Sequence, residues 1–358
     1  MPTKALERWA AAGLAVLAVL GCHEQQKEAA KSQPARTAAA LASAASPLAP
    51  SSAGCKASGS NPMELSKLVG DVYGTGQDKT ALYFSSWQPF GNRGDVGKVP
   101  KAGGSASALA TLELEPRDLA VDDTHVYYTT GIRLMKVAKN GGLATMPATQ
   151  FSSQSIALDA ANIYGVPGDY GPYDRVVRVS KSGGETTELA NAKRPAMSHG
   201  ANGYNGIAVD ASGIYVADSG RNRVVSFPLE GGTPKVLAPA EKQPFDIAID
   251  ESNVFFSLAH ERSLMSVAKT GGKTTKLLSG LAEKAHIALQ GNAVFTLLAG
   301  DTEGAPLKLA KVIKEDGKLT TLTTLAPTES ADVIGADAAC VYWVQRQAGK
   351  STIYAMSK

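Results

Sequence analysis

Residues 206–240 read GIAVDASGIYVADSGRNRVVSFPLEGGTPKVLAPA and contain four short apolar segments separated by polar turns. The segments cover residues 207–209, 214–216, 224–227 and 236–237, and they are rich in the β-branched and aromatic side chains that suit a pleated sheet. The turn at Gly231 and Gly232 suits a tight hairpin, because glycine takes positive φ without a Cβ clash. No room is left for a helix, so the stretch predicts a four-stranded antiparallel meander.

Copies of this unit recur to the C-terminus with a period of roughly 40 residues, the length of a propeller blade. The acid after the first strand recurs as Asp78, Asp122, Asp159, Asp210, Asp250 and Asp337, with Gln290 in one unit. The second strand carries Tyr83, Tyr127, Tyr164, Tyr215, Phe255, Phe295 and Tyr342, and the glycine turn recurs at Gly103, Gly141, Gly183, Gly231, Gly271 and, more weakly, Gly317. The repeat predicts an all-β protein, a seven-bladed β-propeller of four-stranded antiparallel blades.

The two ends of the repeat region predict how the ring closes. The last unit stops at Lys358 and lacks a fourth strand, whereas residues 64–70 resemble the fourth strands of the other units. We therefore expect the N-terminal strand to complete the last blade, which leaves no unpaired inner edge.

The first 62 residues carry signals of export rather than of the fold. Residues 1–21 contain Lys4 and Arg8 before a short apolar run, as in a secretory signal, and the run ends at Cys22 in a pattern that resembles the lipobox of bacterial lipoproteins. That resemblance implies a diacylated Cys22 and a membrane-anchored, extracytoplasmic protein, with the outer membrane favoured because His23, not aspartate, follows. An ordinary signal peptide with a chance cysteine is the alternative.

Residues 22–62 are predicted to be a low-complexity tether, since they are rich in Ala, Ser, Pro, Gln and Lys and poor in large apolar side chains. Residues 63–358 are predicted to be the propeller domain. Cys55 precedes the closing strand and Cys340 begins the second strand of the same blade. An exported chain meets an oxidising compartment, so a Cys55–Cys340 disulfide is predicted, with two free thiols as the alternative.

Charge and composition argue against nucleic-acid partners, and the protein is expected to be a monomer. The formal net charge is +3, and charges of both signs alternate along the chain without a basic stripe. The lysines before the glycine turns are interpreted as solvated turn residues rather than as a binding patch.

Irregular loops on one face of the predicted ring hold the first set of candidate ligand-binding residues. They are Trp87, Phe90, Arg93, Tyr170, Tyr173, His199 and Tyr204. Large aromatic side chains and arginine anchor ligands and partners when they are exposed on a rigid scaffold. The alternative is that these loops cover the blade ends with their own aromatic side chains.

The starts of the inner strands form the second candidate set, at the mouth of the central channel. Alignment of the repeats places Asp118, Asp246 and His286 there. They could hold Ca²⁺ or move a proton, or each aspartate could accept hydrogen bonds from backbone N–H groups of its own or the next blade. No cofactor and no metal centre is predicted, because a metal site needs three or more protein ligands. No familiar catalytic motif occurs.

The segment 214–224, IYVADSGRNRV, resembles the core of NHL-type propeller repeats. Residues 64–358 resemble bacterial secreted β-propeller lipoproteins with NHL- or YWTD-like repeats. That group includes binding modules, virginiamycin B lyase and gluconolactonase-like metal hydrolases. The lyase resemblance implies a His–Glu pair at the channel mouth, for which His286 supplies only the histidine. The hydrolase resemblance implies Glu, Asn and Asp ligands, of which Asp118 and Asp246 match. The leading hypothesis is a binding or scaffold module for a protein or small molecule, without enzymatic activity; the alternative is a lyase or metal-dependent hydrolase.

Overall fold

The computed structural model describes residues 61–88, 93–131, 133–148, 151, 153–166, 173–193, 204–239 and 241–358. All of these residues belong to one unit, Ser52–Lys358. Within these ranges, no helix has the length and apolar character needed to cross a membrane.

The described residues form seven four-stranded antiparallel sheets. Blade 1 contains β2 (Asp71–Gln77), β3 (Ala81–Gln88), β4 (Arg93–Pro100) and β5 (Ser107–Glu113); blade 2 contains β6 (Leu119–Val121), β7 (His125–Thr129), β8 (Leu134–Ala138) and β9 (Thr145–Ala148). Blade 3 contains β10 (Ser155–Leu158), β11 (Asn162–Val166), β12 (Tyr173–Ser180) and β13 (Thr187–Lys193); blade 4 contains β14 (Tyr204–Asp210), β15 (Gly213–Asp218), β16 (Arg223–Phe227) and β17 (Lys235–Ala238), with a 3₁₀ turn at Ser219–Arg221. Blade 5 contains β18 (Pro244–Ile249), β19 (Asn253–Leu258), β20 (Ser263–Ala268) and β21 (Thr275–Ser279); blade 6 contains β22 (Ile287–Gln290), β23 (Ala293–Leu298), β24 (Lys308–Ile313) and β25 (Leu319–Thr324). Blade 7 contains β26 (Ser330–Ala336), β27 (Cys340–Gln347), β28 (Lys350–Ser357) and β1 (Met63–Val69).

Burial follows from the stacking of the blades. Every residue of β15 and β23 is buried, because each second strand is covered on both faces by neighbouring blades. Outer strands such as β25 are largely exposed. The prediction of an all-β, seven-bladed propeller is confirmed.

The predicted closure is also confirmed. Strand β1 pairs antiparallel with β28 in the order β1-β28-β27-β26, with Met63 opposite Ala355 and Val69 opposite Lys350. The first and last strands of the propeller therefore belong to one blade, and their hydrogen-bonded pairing closes the ring.

The predicted disulfide and lipid anchor fall partly or wholly outside the described residues. Cys340 is buried at the start of β27, whereas Cys22 and Cys55 lie outside the described ranges. The Cys55–Cys340 bond and the Cys22 modification remain predictions.

An ion pair, called here the Asp–Lys latch, joins most neighbouring blades. The aspartate after the inner strand of one blade pairs with the lysine before the glycine turn of the next blade. The latches are Asp78–Lys139 (2.7 Å), Asp122–Lys181 (3.0 Å), Asp210–Lys269, Asp250–Lys314 (2.9 Å) and Asp337–Lys101 (2.9 Å). These lysine side chains are only 2–17% exposed. The interpretation of these lysines as solvated turn residues was therefore wrong, because each ammonium group reaches into the preceding blade.

The aromatic residue of the second strand completes each latch. Lys101 Nζ lies 4.8 Å from the ring centre of Tyr342, and the Tyr342 hydroxyl donates to Asp337 at 2.7 Å. Similar cation–π contacts of 5.1–5.6 Å occur at the other four latches. This contact network explains why the acid, the aromatic residue and the basic residue recur together in the sequence.

Two junctions depart from the pattern. Leu229 takes the lysine position in blade 4, opposite Asp159, and Gln290 takes the acid position in blade 6. At the latter junction, Lys358 still lies 5.4 Å from the ring centre of Phe295. The blade 3–4 and blade 6–7 junctions therefore lack the complete ion-paired latch.

The latches predict that acid will destabilise the ring. Burial raises the pKa of Asp337, but the Cys340 N–H, Lys101 and Tyr342 outweigh it and hold this pKa at about 2, below the ordinary 3.8. The pKa values of Asp78 and Asp122 are lowered by similar contacts. Because the folded-state pKa is the lower one, this stability is present above pH 3.8 and is lost as the pH falls toward 2.

We expect the urea midpoint to fall steeply between pH 4 and pH 2, with Asp337 alone contributing about 1–2 kcal/mol after allowance for solvent screening. Urea unfolding at a series of pH values measures this. An Asp337→Asn variant should show a shallower fall, and equal midpoints at pH 2.5 and pH 6 would contradict the latch account.

Candidate functional site

A cavity of about 1050 Å³ lies at the end of the central channel where the inner strands begin. This end of the channel opens on the face of the ring that we call the loop face. The loop face carries the connections between the second and third strands of each blade and the connections between successive blades. Because the inner strands of all seven blades converge, single residues from distant parts of the chain line one space.

The deep end of the cavity is apolar. Its lining includes Leu119, Ile156, Ile207, Ile287 and Ile334, which occupy related positions on five inner strands. The next position inward is small: Ala120, Ala157, Ala208 and Ala288, with Gly76 in blade 1. The strands are so close there that a Cβ on Gly76 would lie 2.9 Å from Leu119 Cδ1. Among the described residues, none of these five small residues lines the cavity, so the branched aliphatic side chains form its floor.

Asp118 and Asp246 lie one position above the floor, and both join their blade to the next one. Asp118 accepts hydrogen bonds from the backbone N–H groups of Leu119 (2.9 Å) and Ile156 (2.8 Å). Asp246 accepts one from Ile287 N–H at 2.8 Å. The structure thus shows the backbone-acceptor arrangement that the sequence left open. Burial raises the pKa of Asp118 to about 6, despite these hydrogen bonds and the nearby His286, which lower it.

His286 lies between two carboxylates. Its Nδ1 is 3.4 Å from Asp246 Oδ2, and its Nε2 is 3.9 Å from Asp332 Oδ1. Asp332 also pairs with Arg346 at 2.6 Å. Burial lowers the pKa of His286, but Asp332, Asp246 and Asp118 outweigh that effect and raise it to about 9. The ring is therefore an imidazolium at neutral pH, in edge contact with Phe245 at 5.2 Å between ring centres.

This arrangement limits the chemistry of His286. With both ring nitrogens facing carboxylates and a proton on each, the side chain can donate a hydrogen bond but is not a general base near pH 7. Its side chain is nevertheless 43% exposed, so a ligand in the cavity can reach it. Across the part of the chain that the structure describes, no three His, Cys, Asp or Glu side chains are grouped to hold a metal ion.

The charge state of His286 gives a direct test. We expect its imidazole to titrate near pH 9 in long-range ¹H–¹⁵N NMR spectra, and well below 9 in an Asp246→Asn, Asp332→Asn double variant, because burial, which lowers the pKa, remains while two of the three carboxylates that outweigh it are gone. Because the folded-state pKa is raised, the stability from this ion pairing is complete below pH 6.5 and is lost as the pH rises through 9. A wild-type midpoint near 6.5 would contradict the two-carboxylate arrangement.

The loop-face candidates have mixed outcomes. Trp87 lies in strand β3 opposite Gly94 rather than in a loop, and it is only 9% exposed as part of the cavity wall. The expectation of an exposed Trp87 in an irregular loop was wrong, because pairing between β3 and β4 extends past it. Arg93 is exposed at the start of β4. Phe90, Tyr170 and His199 lie outside the described residues, as do the side chains of Tyr173 and Tyr204, whose strands are described.

Several cavity residues were not predicted from the sequence, among them Tyr73 and Arg346. Tyr73, at 53% exposure, comes from the start of β2, and Arg346 comes from the end of β27. In the alignment of the repeats, Gly74 takes the position of Asp118 in blade 1, and Tyr73 immediately precedes it. Extending the alignment by one residue toward the N-terminus would have found Tyr73. Arg346 comes from a second strand, and no repeat landmark marks it.

No family model matches this sequence, and no curated protein matches it. Among solved structures, a catalytically inactive virginiamycin B lyase from Staphylococcus aureus with quinupristin is similar, with a TM-score of 0.60 and 12% identity over 83% of this chain and 99% of that one. The computationally designed Ika8 protein is similar with a TM-score of 0.54 and 11% identity, over 81% of this chain and 99% of that one. For a chain of a nidogen/laminin complex the TM-score is 0.46, with 17% identity over 55% of this chain and 74% of that one. At these identities the similarities show the propeller fold alone.

Proposed function

We propose that this protein is a binding module that takes a small-molecule ligand in the cavity at the mouth of its central channel. The observation that carries the proposal is the cavity itself, whose volume of about 1050 Å³ suits a small ligand. Apolar walls with a few convergent polar groups are the usual composition of such sites. Here the floor is aliphatic, and His286, Asp332 and Arg346 converge above it.

Binding is favoured over catalysis by the state of His286. A lyase or hydrolase at this position needs a group that can accept a proton near neutral pH. Both nitrogens of His286 face carboxylates. Asp118 has a pKa of about 6, which would suit a base, but both of its oxygens accept backbone N–H groups, and Asp246 accepts one as well. The polar groups are thus organised to hold one another in place, which suits recognition on a rigid scaffold.

We also propose a cellular location for the protein, on the outer side of the membrane that it is anchored to. The apolar run before Cys22 and the low-complexity residues after it support export, lipid attachment at Cys22 and display of the propeller outside the cytoplasm. Metabolic labelling with palmitate tests this. We expect label in the wild-type protein and none in a Cys22→Ser variant; equal labelling of both would contradict the anchor.

The binding proposal is tested with a variant that obstructs the cavity. Thr75 lines the cavity, so Thr75→Trp should place an indole ring in it and narrow the space for a ligand. The matched control is Thr320→Trp, a substitution of the same size on the exposed outer strand β25. Saturation-transfer NMR with a library of small polar and aromatic compounds measures binding. We expect to find compounds whose affinity for the wild type and for the Thr320→Trp variant is at least tenfold higher than their affinity for the Thr75→Trp variant. Equal affinity for all three proteins would contradict the proposed site.

A further inference from the structure

We infer that the ligand of this cavity is an amphiphile, with an apolar group that enters the channel and an uncharged or zwitterionic polar group that stays at the mouth. This inference rests on the proposed function and adds the chemical class of the ligand. It follows from the order of the lining residues along the channel and from the charge balance at the mouth.

The floor favours an apolar group. Leu119, Ile156, Ile207 and Ile287 also pack in the apolar clusters between blades, so only 4–8% of each is exposed. The exposed part lines the cavity and offers no hydrogen-bond partner to water, and Thr75 is the polar side chain at the related position of blade 1. Water at an aliphatic floor loses hydrogen bonds, so its replacement by hydrocarbon is favourable. Trp87 and Phe245 also line the cavity, and their rings extend its apolar surface toward the mouth.

The mouth carries as many acidic as basic side chains. The acids are Glu115, Asp118, Asp246 and Asp332, and the bases are Arg117, Lys284, His286 and Arg346. Several of these already pair with one another: Glu115 with Arg117 at 3.3 Å, Asp332 with Arg346 at 2.6 Å, and Asp246 with His286 at 3.4 Å. A ligand with a net charge would lose hydration there without an excess of the opposite charge to replace it. An uncharged or zwitterionic head group can instead exchange hydrogen bonds with these pairs.

The experiment measures binding of four amphiphiles with an eight-carbon alkyl chain by isothermal titration calorimetry, each below its micelle concentration. They are octyl glucoside, octylphosphocholine, nonanoate and octyltrimethylammonium, with glucose as the head group alone. We expect the first two to bind at least tenfold more tightly than the two charged compounds, and glucose not to bind. Shortening the glucoside chain should weaken binding about fourfold per methylene group. Binding independent of chain length would overturn the inference.

Two sets of variants locate the two halves of the amphiphile. Ile156→Asn in the floor should weaken octyl glucoside binding at least tenfold, whereas Leu143→Asn, at a side chain that is 90% exposed on blade 2, should leave it unchanged. Should Ile156→Asn fail to fold, the exposed pair Glu115 and Arg117 still tests the mouth. Arg117→Gln should strengthen binding of the cation and weaken that of the anion, and Glu115→Gln should do the reverse; no change in preference in either variant would overturn the charge-balance argument.

The outcomes also separate this inference from the proposed function. If other small compounds bind the wild type but not Thr75→Trp, while no octyl compound binds, the cavity is a ligand site and the amphiphile inference fails. If the octyl compounds bind wild type and Thr75→Trp equally, they lie outside the cavity and the inference likewise fails.

Discussion

A Leu65→Ala, Leu68→Ala double variant is expected to lose about 4 kcal/mol or more of unfolding free energy, since each buried Leu→Ala change costs about 2–5 kcal/mol. Both side chains are buried, at 5% and 8% exposure, in a cluster that contains Tyr342 and Ile353 of blade 7. They belong to β1, which joins the N-terminal end of the propeller to its C-terminal strand. The loss is a large part of the roughly 5–15 kcal/mol that a domain possesses, so the whole ring should unfold together.

Urea unfolding followed by tryptophan fluorescence measures this effect, because Trp343 is fully buried beside the closing strands. The matched control is Val69→Ala in the same strand, where the side chain is 64% exposed and the expected change is within about 0.5 kcal/mol. A double variant as stable as Val69→Ala would show that β1 is not needed for closure.

An Asp337→Asn variant is expected to lose about 2–3 kcal/mol, because the nearly buried ammonium of Lys101 loses its counter-charge and an amide nitrogen replaces one of the two oxygens that accept hydrogen bonds. Lys101 has a side-chain exposure of only 2%, and it joins blade 1 to blade 7 across the closure. Lys101→Met should cost less, since Asp337 keeps its hydrogen bonds from the Tyr342 hydroxyl and the Cys340 N–H. The double variant should cost less than the sum of the two single variants.

A double-mutant cycle by urea unfolding isolates the coupling in this latch. The control cycle uses Lys308 and Asp301, which pair at 2.7 Å, compared with 2.9 Å for Lys101 and Asp337, but with an aspartate that is 83% exposed. We expect a coupling of about 0–1 kcal/mol for that surface pair and a clearly larger one for Lys101–Asp337. Equal coupling in the two cycles would mean that the latches are surface ion pairs of no special value.

The fold could be predicted because a propeller blade repeats its landmarks within one stretch of sequence. The acid, the aromatic residue and the glycine turn of residues 206–240 were enough to count the blades, and the likeness of residues 64–70 to the fourth strands indicated the closure. The latches could not be predicted in the same way. Lys139 is close in sequence to its own glycine turn, and only the packing of neighbouring blades shows that it reaches Asp78.

The site was predictable to the extent that its residues share a repeat position. Alignment of the inner strands found Asp118, Asp246 and His286, and the structure places all three at one cavity. Arg346 comes from a second strand and meets the cavity only through the register of β26 and β27. The chemistry of the predicted residues depends on neighbours that the sequence does not reveal, since the pKa of His286 is set by Asp332 and Asp246 and not by the histidine alone.

The most direct test of the central claim is methyl NMR of protein labelled at the isoleucine δ1 position, titrated with a compound that binds the wild type. Ile156, Ile207 and Ile287 line the cavity, whereas Ile163 and Ile214 are buried in second strands outside its lining and serve as internal controls. The account predicts that the first three methyl signals shift together with one affinity while the two controls stay in place. Shifts confined to the controls or to surface residues, with the three cavity methyls unmoved, would contradict the claim that the channel mouth is the ligand site.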